Sequence, residues 1–525
     1  MSHEQDDGLD RRSFIKTGLT GAAVAAGAGA ASPLALAAPK PGVADKPLTE
    51  LAAMLRRRKI SATELCKIYL DRIAKYGGRQ GLNAYITVAR ESALKQAARL
   101  DRLAKRGKFV GPLHGLPIAV KDNLDTAGIR TTGGSKILLK WVPPRDANAV
   151  ARLKNAGAII LGKTNMHEFA FGITTNNPHY GPTRNPYDKT RIPGGSSGGS
   201  AAAAAAALCA GAVGSDTGGS VRIPASLCGV VGLKPTLTRV GRGGLMYLSY
   251  TRDCIGPITR TVADAALMLQ VMAGADPRDP ECSRARVPQY ARFTKISLRG
   301  KRFGLPKKYF WDVIHPDTAR TMNEAVAVIK KLGGTVTEVE VKDMNLATPT
   351  GFAIVLAECI YLMEDYLKQF DPKATIDKYL SQLGPDVKGI LGSQKGTPKS
   401  KPVPGYVYTK AVRKDRNTMI AAFARAMKGV DALLLPTTPL PAAKIGEDVT
   451  TPLAGKKVNT FLTFIRTCDP VSVVGYPAIT VPAGYSRQGL PIGLQIVGRP
   501  FDEMKLLGLA YAFEKATKVR KPPKL

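Results

Sequence analysis

Seven consecutive alanines, Ala201 to Ala207, stand between two glycine- and serine-rich segments, Gly194-Gly195-Ser196-Ser197-Gly198-Gly199-Ser200 and Gly214-Ser215-Asp216-Thr217-Gly218-Gly219-Ser220-Val221-Arg222. Alanine is the strongest helix former, and a helix of alanines has no side-chain bulk, so it can lie close against a sheet. The segment therefore predicts one slim helix whose ends bring two serine-bearing loops into one pocket. Glycines beside a serine let backbone N–H groups approach a bound oxygen closely, as an oxyanion hole requires. Thr217, Gly218, Gly219 and Ser220 are the candidates. A flexible linker does not fit the helix and apolar strands on either side. A phosphate-cradling loop would carry a lysine after its glycines, and neither run has one.

Short apolar runs bounded by Gly and Pro recur from Gly111 onward: residues 116–120, 158–161, 211–214, 432–435, 478–481 and 492–497. Runs of four to six residues alternating with helical patterns predict buried strands in an α/β sheet. Ahead of them, residues 48–106 show helical spacing (Leu51, Leu55; Leu65, Ile68, Tyr69, Ile73; Ala93, Ala97, Leu100, Leu103). Ser61 with Glu64 three residues on predicts a capping box. The basic, Gly/Pro/Ser-rich stretch over 384–416 reads as a long loop.

A serine nucleophile needs a base, and the five histidines are poor candidates. His3 lies near the N-terminus, His179 and His315 stand beside prolines, and His114 and His167 read as structural. So few histidines, and seven dispersed cysteines with no Cys-x-x-Cys pair, predict neither a metal site nor a disulfide framework. Lys121 ends the apolar run Ile118-Ala119-Val120. A lysine desolvated there has its pKa lowered towards a usable value, unless it reaches solvent or pairs with Asp122.

Taken together, Gly115 to Asn123 (GLPIAVKDN), Lys163 to Phe169 (KTNMHEF), the two Gly/Ser loops, and the later segments DALLLPTTP, GYPAITVPAG and GLPIGLQIVGRPFDE resemble the amidase-signature family. Lys121 precedes Ser196 by 75 residues and Ser196 precedes Ser220 by 24, as that family's lysine, shuttle serine and nucleophile are spaced. The resemblance implies a single three-layer α/β/α domain with a mixed central sheet, over residues 44–515. It implies a Ser-cisSer-Lys triad with Lys121 as base, Ser196 as proton shuttle on a cis Gly195–Ser196 peptide, and Ser220 as nucleophile, with no cofactor. Asp216 and Arg222 would buttress the nucleophile loop, Ser197 and Ser200 would support it, and the Ala170 carbonyl would receive the substrate amide.

The first residues read as an address. Asp10-Arg11-Arg12-Ser13-Phe14-Ile15-Lys16 precedes an uncharged Ala/Gly-rich stretch ending in Ala35-Leu36-Ala37, which resembles a twin-arginine signal over residues 1–37. The expected partners are thus the twin-arginine export machinery and a small amide substrate, and the expected location is periplasmic or otherwise outside the cytoplasm. No later stretch of 18 or more residues is charge-free and uniformly apolar, so no permanent membrane span is expected. The net charge of +35 comes from scattered basic runs without interleaved aromatics, which predicts a solvated basic surface and no specific nucleic acid partner. The oligomeric state is open, a homodimer included. Phe171 to Asn177 and Tyr250 to Asp253 resemble members acting on aryl-acetamides; Ser472 stands near Gly475 where the family usually has Asn. Two rivals remain: the glutaminase subunit of a tRNA-dependent amidotransferase, which an export signal opposes, and a non-catalytic binding protein, which would have lost one of Lys121, Ser196 or Ser220.

Overall fold

The computed structural model describes residues 42–395 and 400–525; residues 1–37, read above as a signal, lie outside them. Eleven strands form one mixed sheet. In chain order they are β1 (Tyr85–Val88), β2 (Pro117–Lys121), β3 (Ile159–Thr164), β4 (Gly211–Asp216), β5 (Val231–Lys234), β6 (Cys254–Thr259), β7 (Arg302–Leu305), β8 (Thr335–Glu338), β9 (Ala432–Pro436), β10 (Ala478–Tyr485) and β11 (Pro491–Val497). Their spatial order is β1-β3-β2-β4-β6-β5-β10-β11-β9-β7-β8. Strands β3, β2 and β4 run parallel, and their residues are buried throughout, which is why they read as uninterrupted apolar runs. Antiparallel pairing takes over from β4 through β6, β5, β10 and β11 to β9.

The helical layer predicted before the sheet is present as Leu48–Arg56, Ala62–Arg72 and Arg90–Lys105, and Ser61 and Glu64 form the reciprocal capping box. The alanine helix spans Gly198–Ala205 and is buried along its whole length. It lies so close to its neighbours that a Cβ on Gly199 would come within 2.4 Å of the Asn165 carbonyl and 2.6 Å of that of Ala84. Three arginines close its far end. Arg72 donates to the carbonyls of Ala207 and Ala206, both at 2.9 Å, Arg260 to Ala204 at 3.3 Å and Cys209 at 2.7 Å, and Arg520 to Ala205 at 3.2 Å. The last carbonyls of a helix lack the full set of intrahelical donors, and cations there also complement the negative end of the helix dipole.

One expectation is corrected here. Residues 384–416 are not a long loop, because Pro385–Ser393 and Gly405–Lys410 are helical, and a further helix begins at Arg416. Pro385 at the first helical position and the apolar spacing Val387, Ile390, Leu391 organise the first of these helices despite its glycines. Met344–Leu367 is long and apolar enough to cross a membrane, with mean hydropathy 1.6, but it carries Glu358, Glu364 and Asp365 and so is not a charge-free apolar stretch. Its residues Gly351, Phe352, Val355 and Leu356 line the cavity described next.

Candidate active site

The site lies at the carboxyl ends of the adjacent parallel strands β2 and β4, where open α/β sheets place their ligands. β2 ends at Lys121, and β4 ends at Ser215 and Asp216. Lys121 is completely buried, and its Nζ lies 2.7 Å from Ser196 Oγ and 2.8 Å from Ser215 Oγ. Asn123 Nδ2 also donates to Ser215 Oγ, at 3.0 Å. Burial pushes the Lys121 ammonium down to about 7, partly offset by the carboxylates of Asp253 and Asp216. Asp122 does not pair with Lys121: its carboxylate accepts from Thr132 and faces Lys163 at 4.0 Å.

The Gly195–Ser196 peptide is cis. Ser197 and Ser200 tie the start of the alanine helix to β4: Ser197 Oγ donates to the Ser215 carbonyl at 3.2 Å, and Ser200 Oγ donates to that of Val213 at 2.9 Å. The two serine loops meet through the Ser197 N–H, which donates to the Ser220 carbonyl at 3.3 Å. The hydroxyls of Ser196 and Ser220 are not hydrogen-bonded to each other.

Asp216 holds the second loop in shape. Its carboxylate accepts from the N–H groups of Gly219 at 2.9 Å and Val221 at 3.1 Å, and from Arg222 Nε at 3.0 Å and Nη2 at 2.9 Å. Burial pushes the Asp216 carboxyl up, and the Arg222 guanidinium more than offsets it, holding it well below the usual carboxylate range. Ser472, which stands where an asparagine was expected, belongs to this network rather than to the pocket: its Oγ accepts from Arg222 Nη2 at 2.6 Å and donates to Asp216 at 3.1 Å. The Gly219 N–H is therefore committed to Asp216, a correction to the expected oxyanion set. The N–H groups of Thr217, Gly218 and Ser220 have no acceptor among the described residues.

Ser220, Thr217 and Gly218 open onto a cavity of about 240 Å³. Ala170 to Ile173 form one side of it, and Leu248, Phe352, Val355, Ile390, Phe461 and Ile465 give it an apolar wall. Ala170 is held at a positive φ of 65°, as is Phe169 at 46°, so the chain turns sharply at this wall of the cavity. The charged groups of the lining are Arg252 and Asp469, which bond to each other.

Several of these residues escaped the sequence reading. Ser215 is hidden inside the motif as an ordinary strand residue, and only the register of β2 against β4 brings it to Lys121. Asp253 accepts from the Thr217 hydroxyl and from the N–H groups of Leu248 at 2.8 Å and Ser249 at 3.1 Å, so it fixes both the nucleophile loop and the cavity wall. Its position beside Tyr250-Thr251-Arg252 was the signal available.

A family model described as Amidase matches residues 64–507. The chain is 42% identical over 486 residues to a glutamyl-tRNA(Gln) amidotransferase subunit of Moorella thermoacetica, covering 91% of this chain and 98% of that protein. The structure of native peptide amidase from Stenotrophomonas maltophilia is similar with a TM-score of 0.81 at 33% identity, covering 91% of this chain and 98% of that one. A bacterial aryl acylamidase of the amidase-signature enzymes is similar with a TM-score of 0.81 at 25% identity, covering 90% of this chain and 96% of that one.

Proposed function

The chain belongs to the amidase-signature family and is a hydrolase of amide C–N bonds, and from that premise we propose that it cleaves primary amides with an apolar acyl group through an acyl-Ser220 intermediate. The observation that carries the proposal is the Lys121–Ser196 contact of 2.7 Å beneath an apolar cavity that Ser220 lines. Lys121, neutral near pH 7, accepts a proton from Ser196 as Ser196 accepts one from Ser220, and Ser220 Oγ attacks the amide carbon. The Ser196–Ser220 hydrogen bond forms as substrate enters, since catalytic hydrogen bonds often close only in the substrate complex. The oxyanion is received by the N–H groups of Thr217, Gly218 and Ser220, and the Ala170 carbonyl accepts from the substrate NH₂. Protons return along the same relay to expel ammonia, and water, activated by the relay, hydrolyses the ester.

An aryl or branched aliphatic acyl group suits the wall of Phe171, Ile173, Leu248, Phe352 and Ile465. Glutamine finds one charged pair there, Arg252 and Asp469, whose Nε and Oδ2 lack hydrogen-bond partners among the described residues and can receive its α-carboxylate and α-ammonium; the rest of the wall is apolar and favours an apolar acyl group. Those two unpartnered atoms and the 42% identity to an amidotransferase subunit favour the glutaminase reading. Export by the twin-arginine route, proposed from Arg11-Arg12 and the stretch after them, supports a free-standing enzyme outside the cytoplasm. The test is ammonia release from phenylacetamide, propionamide and a peptide C-terminal amide, set beside glutamine with charged tRNA and the partner subunits. Turnover of phenylacetamide by the chain alone supports the proposal. Turnover of glutamine only, and only in the complex, rejects it. Amino-terminal sequencing of exported protein tests the address, and full-length protein retained in the cytoplasm would reject it.

A further inference from the structure

His167, read from the sequence as a structural residue, makes a directed contact on the far side of the cavity. Its Nε2 lies 2.6 Å from Asp386 Oδ2, with the imidazole 7% exposed and the carboxylate 47% exposed. The next residue, Glu168, accepts from the Gly384 N–H at 2.8 Å and from His179 Nε2 at 2.7 Å. Two neighbouring side chains of one loop therefore hold the start of the helix Pro385–Ser393, and about one turn and two turns beyond Asp386 that helix presents Ile390 and Ser393 to the cavity.

The imidazole is also wedged from the cavity side. A Cβ on Gly172 would meet its ring atoms at 2.2 to 2.5 Å, so glycine at 172 is what leaves room for the ring behind a cavity-lining residue. The backbone N–H of His167 donates to the Ser196 carbonyl at 3.2 Å. One residue thus links the shuttle-serine loop, the 170–173 wall and the 385–393 wall. Elsewhere the 385–393 helix is held by apolar packing, with Val387 and Leu391 buried in a cluster with Phe169, Phe171 and Leu248. Apolar packing is non-directional, and it leaves the rotation of a short helix poorly determined. A charge-assisted hydrogen bond in its first turn determines it.

We infer that the His167–Asp386 pair is a specificity-determining latch, which sets how far Ile390 projects into the acyl pocket and so which acyl groups fit. The inference rests on the amide-hydrolase reading above. Asp386 is a positioning residue: it touches neither substrate nor reacting atoms.

The test compares propionamide, whose acyl group is too short to reach the far wall, with phenylacetamide, using the full chain and its Asp386→Ala, Asp386→Asn and Ile390→Ala variants. Asp386→Ala is expected to raise KM for phenylacetamide roughly tenfold, the scale of one charge-assisted hydrogen bond partly transmitted to the wall. Its kcat on either amide and its kcat/KM for propionamide should change less than about twofold. Asp386→Asn, which keeps an acceptor oxygen, should lie between, and Ile390→Ala should reproduce the selectivity change. Equal loss on both amides would mean a merely structural role and would overturn the inference, as would no change on either. Hydrogen exchange gives a readout independent of turnover: Asp386→Ala should speed exchange over 385–393 while leaving β2 and β4 unchanged. If the unsubstituted chain cleaves neither amide, the proposed apolar acyl substrates are rejected, and unchanged exchange over 385–393 would then overturn the latch on its own.

Discussion

Replacing Lys121 by Met should remove activity and at the same time change how stability depends on pH. An ordinary lysine titrates at 10.5, and burial brings Lys121 down to about 7. In the interval between, the unfolded chain binds a proton that the folded chain does not, so stability contributed by this group rises with pH. Below about 7 its full penalty is present, and above 10.5 it is gone. At 1.36 kcal/mol per pH unit, the interval is worth about 5 kcal/mol. Methionine has no such penalty. It removes the lysine's contacts with the hydroxyls of Ser196 and Ser215, the latter keeping Asn123, a loss of about 1–3 kcal/mol that does not vary with pH in this range. The stability difference, variant minus unsubstituted chain, should therefore fall by about 4–5 kcal/mol as pH rises from 7 to 10.5. Lys163, buried and brought down to about 8, is present in both proteins and cancels. Urea unfolding at pH 7, 8, 9 and 10 measures the difference. Parallel curves would show that Lys121 is protonated in the folded protein and would refute its role as base. The same titration predicts a kcat/KM that rises with pH through an acidic limb near 7.

The remaining predictions concern the loop, the relay and the helix. Ser220→Ala and Ser196→Ala should each lower kcat by at least ~10²-fold, while Ser215→Ala, which removes an acceptor shared by Lys121 and Asn123 and leaves Ser196 in place, should lower it roughly tenfold; steady-state ammonia release separates them. Asp216→Asn leaves the buried Arg222 guanidinium without its charge partner and should destabilise the fold by about 3–5 kcal/mol, read by urea unfolding at pH 7. Asp216 titrates below the ordinary carboxylate value, so its stabilisation in the unsubstituted chain is complete above about pH 4 and is lost as pH falls below it. Arg72→Met strips two hydrogen bonds from the end of the alanine helix and should lower stability by about 2 kcal/mol, seen as a lower Tm with KM unchanged.

The parts of the site that lie along a few dozen consecutive residues were legible in the sequence. The alanine run demands a helix, the glycines on either side demand close approach, and the run 116–120 demands a buried strand ending on a lysine. All of these are local constraints, and they bring Ser196 and Ser220 together; that Lys121, 75 residues before Ser196, joins them was implied by the resemblance to the amidase-signature family. The cavity is assembled differently. Ile390, Phe461 and Phe352 come from segments far along the chain from Ser220, and each is an ordinary apolar side chain until packing turns it inward. The helix 385–393 was misread for the same reason: Gly389 and Gly392 weaken its intrinsic propensity, and what orders it is tertiary, the buried faces of Val387 and Leu391 and the contacts of His167 and Glu168. Gly219 shows a subtler limit, since a motif identifies which amides are near the nucleophile and not which of them a neighbouring carboxylate has already taken.

The charges around the cavity bear on how Lys121 could act as the proposed base. Arg222 is engaged by Asp216, Arg252 by Asp469, and Lys163 faces Asp122 and the Leu124 carbonyl. Lys121 differs in having hydroxyls rather than a carboxylate as its hydrogen-bond partners. A buried ammonium next to a carboxylate would be held protonated and could accept nothing. Next to two hydroxyls it bears the desolvation penalty with little compensation, and the neutral amine becomes the stable form near neutral pH. Asp253 and Asp216 are close enough to moderate that shift and are themselves occupied, one by Thr217 and the wall, the other by Arg222 and the nucleophile loop. The same two carboxylates that hold the serine loop in shape therefore keep the lysine from titrating so low that it would be too weak a base to draw the proton from Ser196.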